Sequence, residues 1–309
     1  VSEAVTIQKR VIEGEQPGPH LLITGGVHGD EFEPMAAIRR LIKTLTPAPG
    51  NLRGKVTLAP VVNEASYNHK HRTADDLKDL ARTCPGRPDG SVTERTAHAL
   101  SELIRTADYY VDLHTGGTIY DILALSGYMM HPNAEVLDAQ RKMAKAFNLP
   151  IVWGTGPGLD GRSLSVARDA NIPGIYTEYG GAAVMQPRAT DAYYEGCLNV
   201  MGVLDMIDRE QPVSAIEHII EDTRPNTGHL QVQNPAPFAG FFESAVQLGD
   251  RVKPGDTLGT VSDVLGDRVE TITSTQTGVV LCIHTFCKVD ENEGCVVVLE
   301  TELNKEDAT

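Results

Sequence analysis

Leu21-Leu22-Ile23-Thr24-Gly25-Gly26-Val27-His28-Gly29-Asp30-Glu31 is the stretch on which the fold turns. Its first four residues form an apolar, partly β-branched run that predicts a strand, and the glycines after it predict an abrupt turn. An imidazole and a carboxylate then stand three residues apart where strand gives way to helix. A second segment, Asp112-Leu113-His114-Thr115-Gly116-Gly117, sets another imidazole at the end of the predicted strand Tyr109 to Leu113. Taken alone, a His-x-x-Glu pair fits a hydrogen-bonded surface pair near a helix dipole equally well. Two glycine-flanked histidines at separate strand ends are harder to assign to packing. Two imidazoles and a carboxylate, with a fourth position left to water, match a catalytic zinc site, whereas structural zinc is usually closed by four Cys-rich ligands.

Outward from this motif, apolar runs alternate with helical patterns up to about residue 210. Further strands are expected at Val56 to Val62, Ile122 to Leu125, Ile151 to Trp153 and Ile175 to Glu178. Met35, Ile38, Leu41, Ile42 and Leu45 recur at helical spacing behind Pro34, and Ser91 with Glu94 forms a capping-box pattern before Ala97, Leu100 and Ile104. Alternation of this kind predicts an α/β layer with a mixed, largely parallel sheet flanked by helices, and open α/β sheets place their sites at strand ends. Past Arg209 the texture changes to short β-like runs between turns, among them Gly240-Phe241-Phe242, Leu258-Gly259, Gly278 to Leu281 and Cys295 to Leu299. Two domains are expected, 1–222 carrying the chemistry and 223–309 a small all-β, barrel-sandwich-like unit. The Gly-Asp-x-Val-x-x-Gly pattern at 249–255 resembles biotinyl and lipoyl carriers. No Lys occupies the turn Ser274-Thr275-Gln276-Thr277, so a structural unit is expected. The tail Asn304 to Thr309 reads as disordered.

With 309 residues, 41% of them hydrophobic and 22% charged, the chain can bury a sizeable core. Its formal net charge of −15 would repel nucleic acid and anionic membranes, so neither is an expected partner. Five scattered cysteines suit a reducing compartment, no apolar stretch approaches the roughly 20 residues that cross a bilayer, and Val1 to Arg10 lacks a signal-peptide core. A cytoplasmic protein is expected, and a homo-oligomer.

Metal-assisted hydrolysis also needs a proton acceptor beyond the ligands. Glu178 is the candidate: Tyr176-Thr177-Glu178-Tyr179-Gly180-Gly181 runs a strand straight into a double glycine. Arginine suits oxyanion and carboxylate recognition, and Arg72 and Arg82 lie in the polar loop after Asn63, although loop arginines are more often solvated. His69, His71 and His98 are assigned to ordinary surface or helix positions. Cys282, His284, Cys287 and Cys295 lack a Cys-x-x-Cys pair and are not read as a second zinc site. Trp153 precedes Gly154 to Gly158, a loop that either covers a pocket or simply turns.

These motifs, with the strand end Pro60 to Ala65, Cys84-Pro85-Gly86 and Gly161-Arg162-Ser163-Leu164, resemble in order the succinylglutamate desuccinylase/aspartoacylase family of the zinc-carboxypeptidase-like superfamily. The likeness spans nearly the whole chain and is greatest to the branch containing the N-acetyl-diaminobutyrate deacetylases. It implies one Zn²⁺ held by His28, Glu31 and His114, Glu178 as general base and later acid, and Arg72 polarising the scissile carbonyl. In the family an Asp-Leu-Asn-Arg element holds the substrate carboxylate, and here it reads Asp79-Leu80-Ala81-Arg82, one donor short. Arg82, Arg162 and Asn63 are the expected substrate contacts. The resemblance implies zinc-dependent deacylation of an N-acyl amino acid or related small acyl compound at an amide, or an ester. A metallocarboxypeptidase acting on short peptides and a non-catalytic binding protein are the alternatives.

Overall fold

In chain order the elements of the first two thirds are β1 (Arg10–Glu13), β2 (Gln16–Thr24), α1 (Phe32–Leu45), β3 (Arg53–Ala59), α2 (Glu64–His69), α3 (Val92–Ile104), β4 (Tyr109–His114) and β5 (Tyr120–Met129). There follow α4 (Ala134–Phe147), β6 (Ile151–Thr155), α5 (Ser163–Asp169), β7 (Gly174–Gly181), α6 (Pro187–Val203) and β8 (His218–Asp222). The computed structural model describes residues 5–224, 228 and 233–301. The expected disordered tail from Asn304 and the start of the β unit near Thr227 lie outside them.

Strands β3, β2, β4 and β7 run parallel, with Leu21 opposite both Val56 and Tyr109. Their side chains alternate between two buried layers. Leu21, Ile23, Val111 and Ile175 pack with Ile38, Leu41, Phe147 and Tyr193 of α1, α4 and α6, while Leu22 and Tyr110 pack with Leu100, Ile104 and Leu164 of α3 and α5. A strand covered on both faces has no polar face, which is why these segments read as unbroken apolar runs. The predicted caps form as expected: Ser91 N donates to Glu94 Oε2 at 2.9 Å at the start of α3.

β5 breaks the parallel pattern. Residues 115–119 are too few for a crossover, so the chain reverses and β5 lies antiparallel to β7. Its far edge is divided: Leu125 to Met129 pair with β6 and Tyr120 to Ile122 pair with β13 (Gly278–His284). β13 belongs to the C-terminal part, with β9 (Gly240–Ser244), β10 (Arg251–Val252), β11 (Thr257–Ser262), β12 (Val269–Thr273), β14 (Lys288–Val289) and β15 (Val296–Leu299). β12, β11, β9 and β14 form a separate antiparallel sheet, while β10, β13 and β15 extend the large one. The C-terminal part has its own apolar core around Phe242, Leu258 and Val261. A second cluster joins Leu281, Cys282 and Val297 to Ile122, Ile151 and Trp153, so the two parts share a seam. Among the described residues no helix is long and apolar enough to cross a membrane.

Candidate active site

β2 ends at Thr24, and Gly26 turns the chain with φ of 63°, a conformation that favours glycine. Val62 and Asn63 N–H groups donate to the carbonyls of Gly25 and Gly26 at 3.0 and 2.9 Å, sewing this turn to the segment after β3. A Cβ on Gly29 would lie 2.1 Å from the backbone of Ser66, so only glycine lets the loop rest on α2. His28 and Glu31 are thereby fixed and buried, with His28 Nδ1 2.7 Å from Glu31 Oε1. From the neighbouring strand His114 brings its Nδ1 to 3.0 Å from Glu31 Oε2. Asp30 Oδ2 clamps the two motifs together by accepting from Thr118 N and Oγ1, each at 3.0 Å.

His28, Glu31 and His114 each offer one ligand atom within 4.8 Å of the others, and among the described residues no other such group of three or more converges. The outward nitrogens are also held. His28 Nε2 lies 3.0 Å from Asp79 Oδ1, and His114 Nε2 lies 3.1 Å from Asp112 Oδ2. A carboxylate on the far nitrogen keeps the proton there and leaves Nδ1 free to bind a cation, the arrangement that supports metal-ligating histidines. Asp112 is fully buried and held in turn by Thr24 Oγ1 at 2.7 Å and by the Ser163 hydroxyl. Burial alone would raise the Glu31 pKa, but His28 and His114 hold it at about 2. Burial would lower that of His114, and Asp112 and Glu31 raise it well above the ordinary value. Two imidazoles and a carboxylate converging in this way form a donor set of the kind that suits a divalent cation such as zinc.

Register puts Glu178 directly opposite His114 on the adjoining strand. Its Oε2 is buried without a hydrogen-bond partner. Burial raises its pKa to about 8; His114 and Arg72 pull it down, while Glu31 and Asp112 push it up. Arg72 is gripped by Asp79, whose Oδ2 accepts from Nη2 at 2.9 Å and Nε at 3.2 Å, and its Nη1 lies 3.4 Å from His28 Nδ1. Arg82 and Arg162 line the same cavity as Arg72, His28, Glu31, His114 and Glu178, and Ala81 lines it too. Neither Arg82 nor Arg162 has a carboxylate partner among the described residues, and burial followed by the charge of Arg82 lowers the Arg162 pKa.

Asn63 is the expected contact that falls elsewhere. β3 ends at Ala59, before Pro60, so Asn63 lies beyond the strand and caps α2, fully buried, its Oδ1 accepting from Ser66 N at 3.2 Å. It supports the His28 turn from below instead of lining the cavity. His69 pairs with Asp75 and His71 bonds Thr73, in keeping with the ordinary positions given to them, and Cys287 is exposed. Trp153 is buried in the seam, while Leu159 from the loop after it lines the cavity. The orienting role of Asp112 has a local signal, since residues two apart on a strand share a face with His114. Asp79 has none, being 51 positions from its partner His28.

A buried cluster of opposed charges in a cavity at the carboxyl ends of parallel strands marks the chain as an α/β enzyme. It belongs to the succinylglutamate desuccinylase/aspartoacylase family, whose catalytic-domain model matches residues 17–204. A curated relative, the N-alpha-acetyl-L-2,4-diaminobutyric acid deacetylase of Halomonas elongata, is 31% identical over 265 residues, covering 84% of this chain and 74% of its own. Among solved structures, the product-bound ectoine utilization protein EutE (DoeB) from Ruegeria pomeroyi is similar at 26% identity and a TM-score of 0.84, over 95% of this chain and 89% of that one. A succinylglutamate desuccinylase/aspartoacylase from Rhodobacter sphaeroides is similar at 25% identity and a TM-score of 0.86, over 97% and 90%.

Proposed function

We propose that this chain is a zinc-dependent amidohydrolase that cleaves the amide bond, or an equivalent ester, of a small N-acyl amino acid and releases a carboxylic acid and an amine. The observation that carries this is Glu178: a half-buried carboxylate with a raised pKa and a buried, unpartnered oxygen, set opposite a predicted metal ligand and in the same cavity as three arginines. The names of the similar proteins, a deacetylase and a desuccinylase/aspartoacylase, support the reaction class. A zinc ion held by His28, Glu31 and His114 would supply Lewis acidity, polarising the scissile carbonyl and acidifying water.

Glu178 takes up the proton that the attacking water loses and returns it to the leaving nitrogen. Arg72, held in place by Asp79, meets the negative charge that develops on the carbonyl oxygen. Arg82 and Arg162, which line the same cavity, receive the substrate carboxylate. The cavity measures about 90 Å³, below the roughly 300–1,000 Å³ of pockets that enclose drug-sized ligands, which favours a small acyl compound over a peptide. Glu178→Gln is nearly isosteric but cannot accept a proton, so turnover should fall by at least about 10²-fold with fold and metal content retained. A variant keeping more than a tenth of wild-type turnover, with chemistry rate-limiting, removes Glu178 from the role.

A further inference from the structure

The cavity is sharply divided in character. Its only carboxylates among the described residues are Glu31, Asp112 and Glu178, and each is committed. Glu31 lies between two imidazoles. Asp112 is wholly buried on Thr24, Ser163 and His114. Glu178 is the proton carrier of the proposed reaction. On the cationic side, neither Arg82 nor Arg162 has an acid partner among the described residues, so a substrate anion is expected at these two guanidinium groups.

The remainder of the wall is uncharged: Thr115, Tyr120, Thr155 and Ser163 bring hydroxyls, and the rest is largely apolar. Ile122, Met129, Leu159, Leu164, Tyr176 and Cys282 line it, and burial pushes the Cys282 thiol well up, so this side chain stays neutral. An ammonium group entering here would lose its hydration without gaining a carboxylate and would share the cavity with two guanidinium groups that have no acid partner among the described residues. A hydrocarbon side chain would replace water against carbon.

From this charge distribution we propose that the amine released by the enzyme is an α-amino acid with an uncharged, apolar side chain, not a diamino acid such as the one named for the Halomonas elongata relative. The inference rests on the deacylase function proposed above, and narrows it. Discrimination in an apolar pocket is worth about 10- to 200-fold for a single methylene, and a buried charge without a partner costs more.

The test compares kcat/KM of the zinc-loaded protein for N-acetylleucine, N-acetylmethionine, Nα-acetyl-2,4-diaminobutyrate and N-acetylaspartate. The leucine and methionine compounds should exceed the diaminobutyrate compound by at least about tenfold. A diaminobutyrate or aspartate derivative hydrolysed as well as or better than both overturns the proposal. Leu159→Glu, in a loop rather than a strand, should move the leucine-to-diaminobutyrate ratio by tenfold or more toward the diamino compound; an unchanged ratio in a folded variant overturns the assignment of this wall. Should no acyl amino acid be hydrolysed, the deacylase function fails separately. Calorimetric titration with free leucine and 2,4-diaminobutyrate then decides the pocket's preference: leucine binding alone upholds it, and tighter diaminobutyrate binding sinks it.

Discussion

Asp79→Asn is the most informative single perturbation of this site, because Asp79 joins a predicted metal ligand to the arginine beside it. Oδ1 serves His28 Nε2 at 3.0 Å and Ala81 N at 2.9 Å, and Oδ2 serves Arg72 at 2.9 and 3.2 Å. An amide has one acceptor oxygen, so whichever way it turns, N–H faces N–H on one side. If the oxygen stays with His28, Arg72 loses both bonds, a charge-assisted interaction worth about 1.5–3 kcal/mol. Expressed fully in the transition state, that is roughly 10- to 150-fold in kcat/KM. If it stays with Arg72, His28 loses the carboxylate that keeps its proton on Nε2, and metal affinity should fall by about 10- to 100-fold. Zinc affinity by competition with a chromophoric chelator, measured beside kcat/KM, distinguishes these outcomes. The pH dependence adds a check. Burial alone would raise the Asp79 pKa, but His28 and Arg72 hold it well below the carboxylate range. Its contribution to stability is thus full above the unfolded value of about 3.9 and lost as pH falls through the folded one. The destabilisation caused by Asn should accordingly be present at neutral pH and shrink in strong acid. Wild-type zinc affinity and kcat/KM within threefold of wild type would refute the bridging role.

Three further outcomes are expected. His114→Ala should lower zinc content and activity together, measured by elemental analysis of protein purified without chelator; full activity in metal-free wild type would remove the metal from the mechanism. For an N-acyl amino acid against its carboxamide, Ala81→Asn should raise the preference for the acid and Arg82→Ala should erase it, and no change in either ratio would move the carboxylate site elsewhere, with Arg162 the next residue to test. Co-expression with biotin or lipoyl ligase should leave the intact mass unchanged, since the turn Ser274 to Thr277 has no Lys; an added cofactor mass on the C-terminal part would refute its assignment as structural.

What could be read from the sequence was whatever is local. Apolar runs ending in glycine located β2, β4 and β7, and with them His28, Glu31, His114 and Glu178, because a strand end fixes where its next side chain stands. The arginines of the loop after α2 were legible only as charges; their convergence on one cavity depends on contacts such as Cys84 N donating to the Gly161 carbonyl at 2.9 Å, which tie the Arg82 loop to Arg162. Asn63 misled because Pro60 stops β3 three residues earlier than the apolar run suggests. The reversal at β5 had a signal in the short connection 115–119, whereas its pairing with β13, more than 150 positions away, had none.

That distant pairing accounts for what the C-terminal part contributes. β13 lies antiparallel to β5 with Cys282 opposite Ile122, and both residues line the cavity. Because β5 is itself reversed, its first residues stand beside the end of β7, which carries Glu178 and adjoins β4 with His114. A strand added at that point necessarily borders the site. The cavity therefore takes its charged groups from residues before 222 and part of its apolar wall from Cys282 beyond it. A swinging carrier domain would need to leave this position. A wall of the acyl-compound pocket needs to stay, and the shared seam of Leu281, Cys282 and Val297 with Ile122, Ile151 and Trp153 holds it there by burying apolar side chains from both parts.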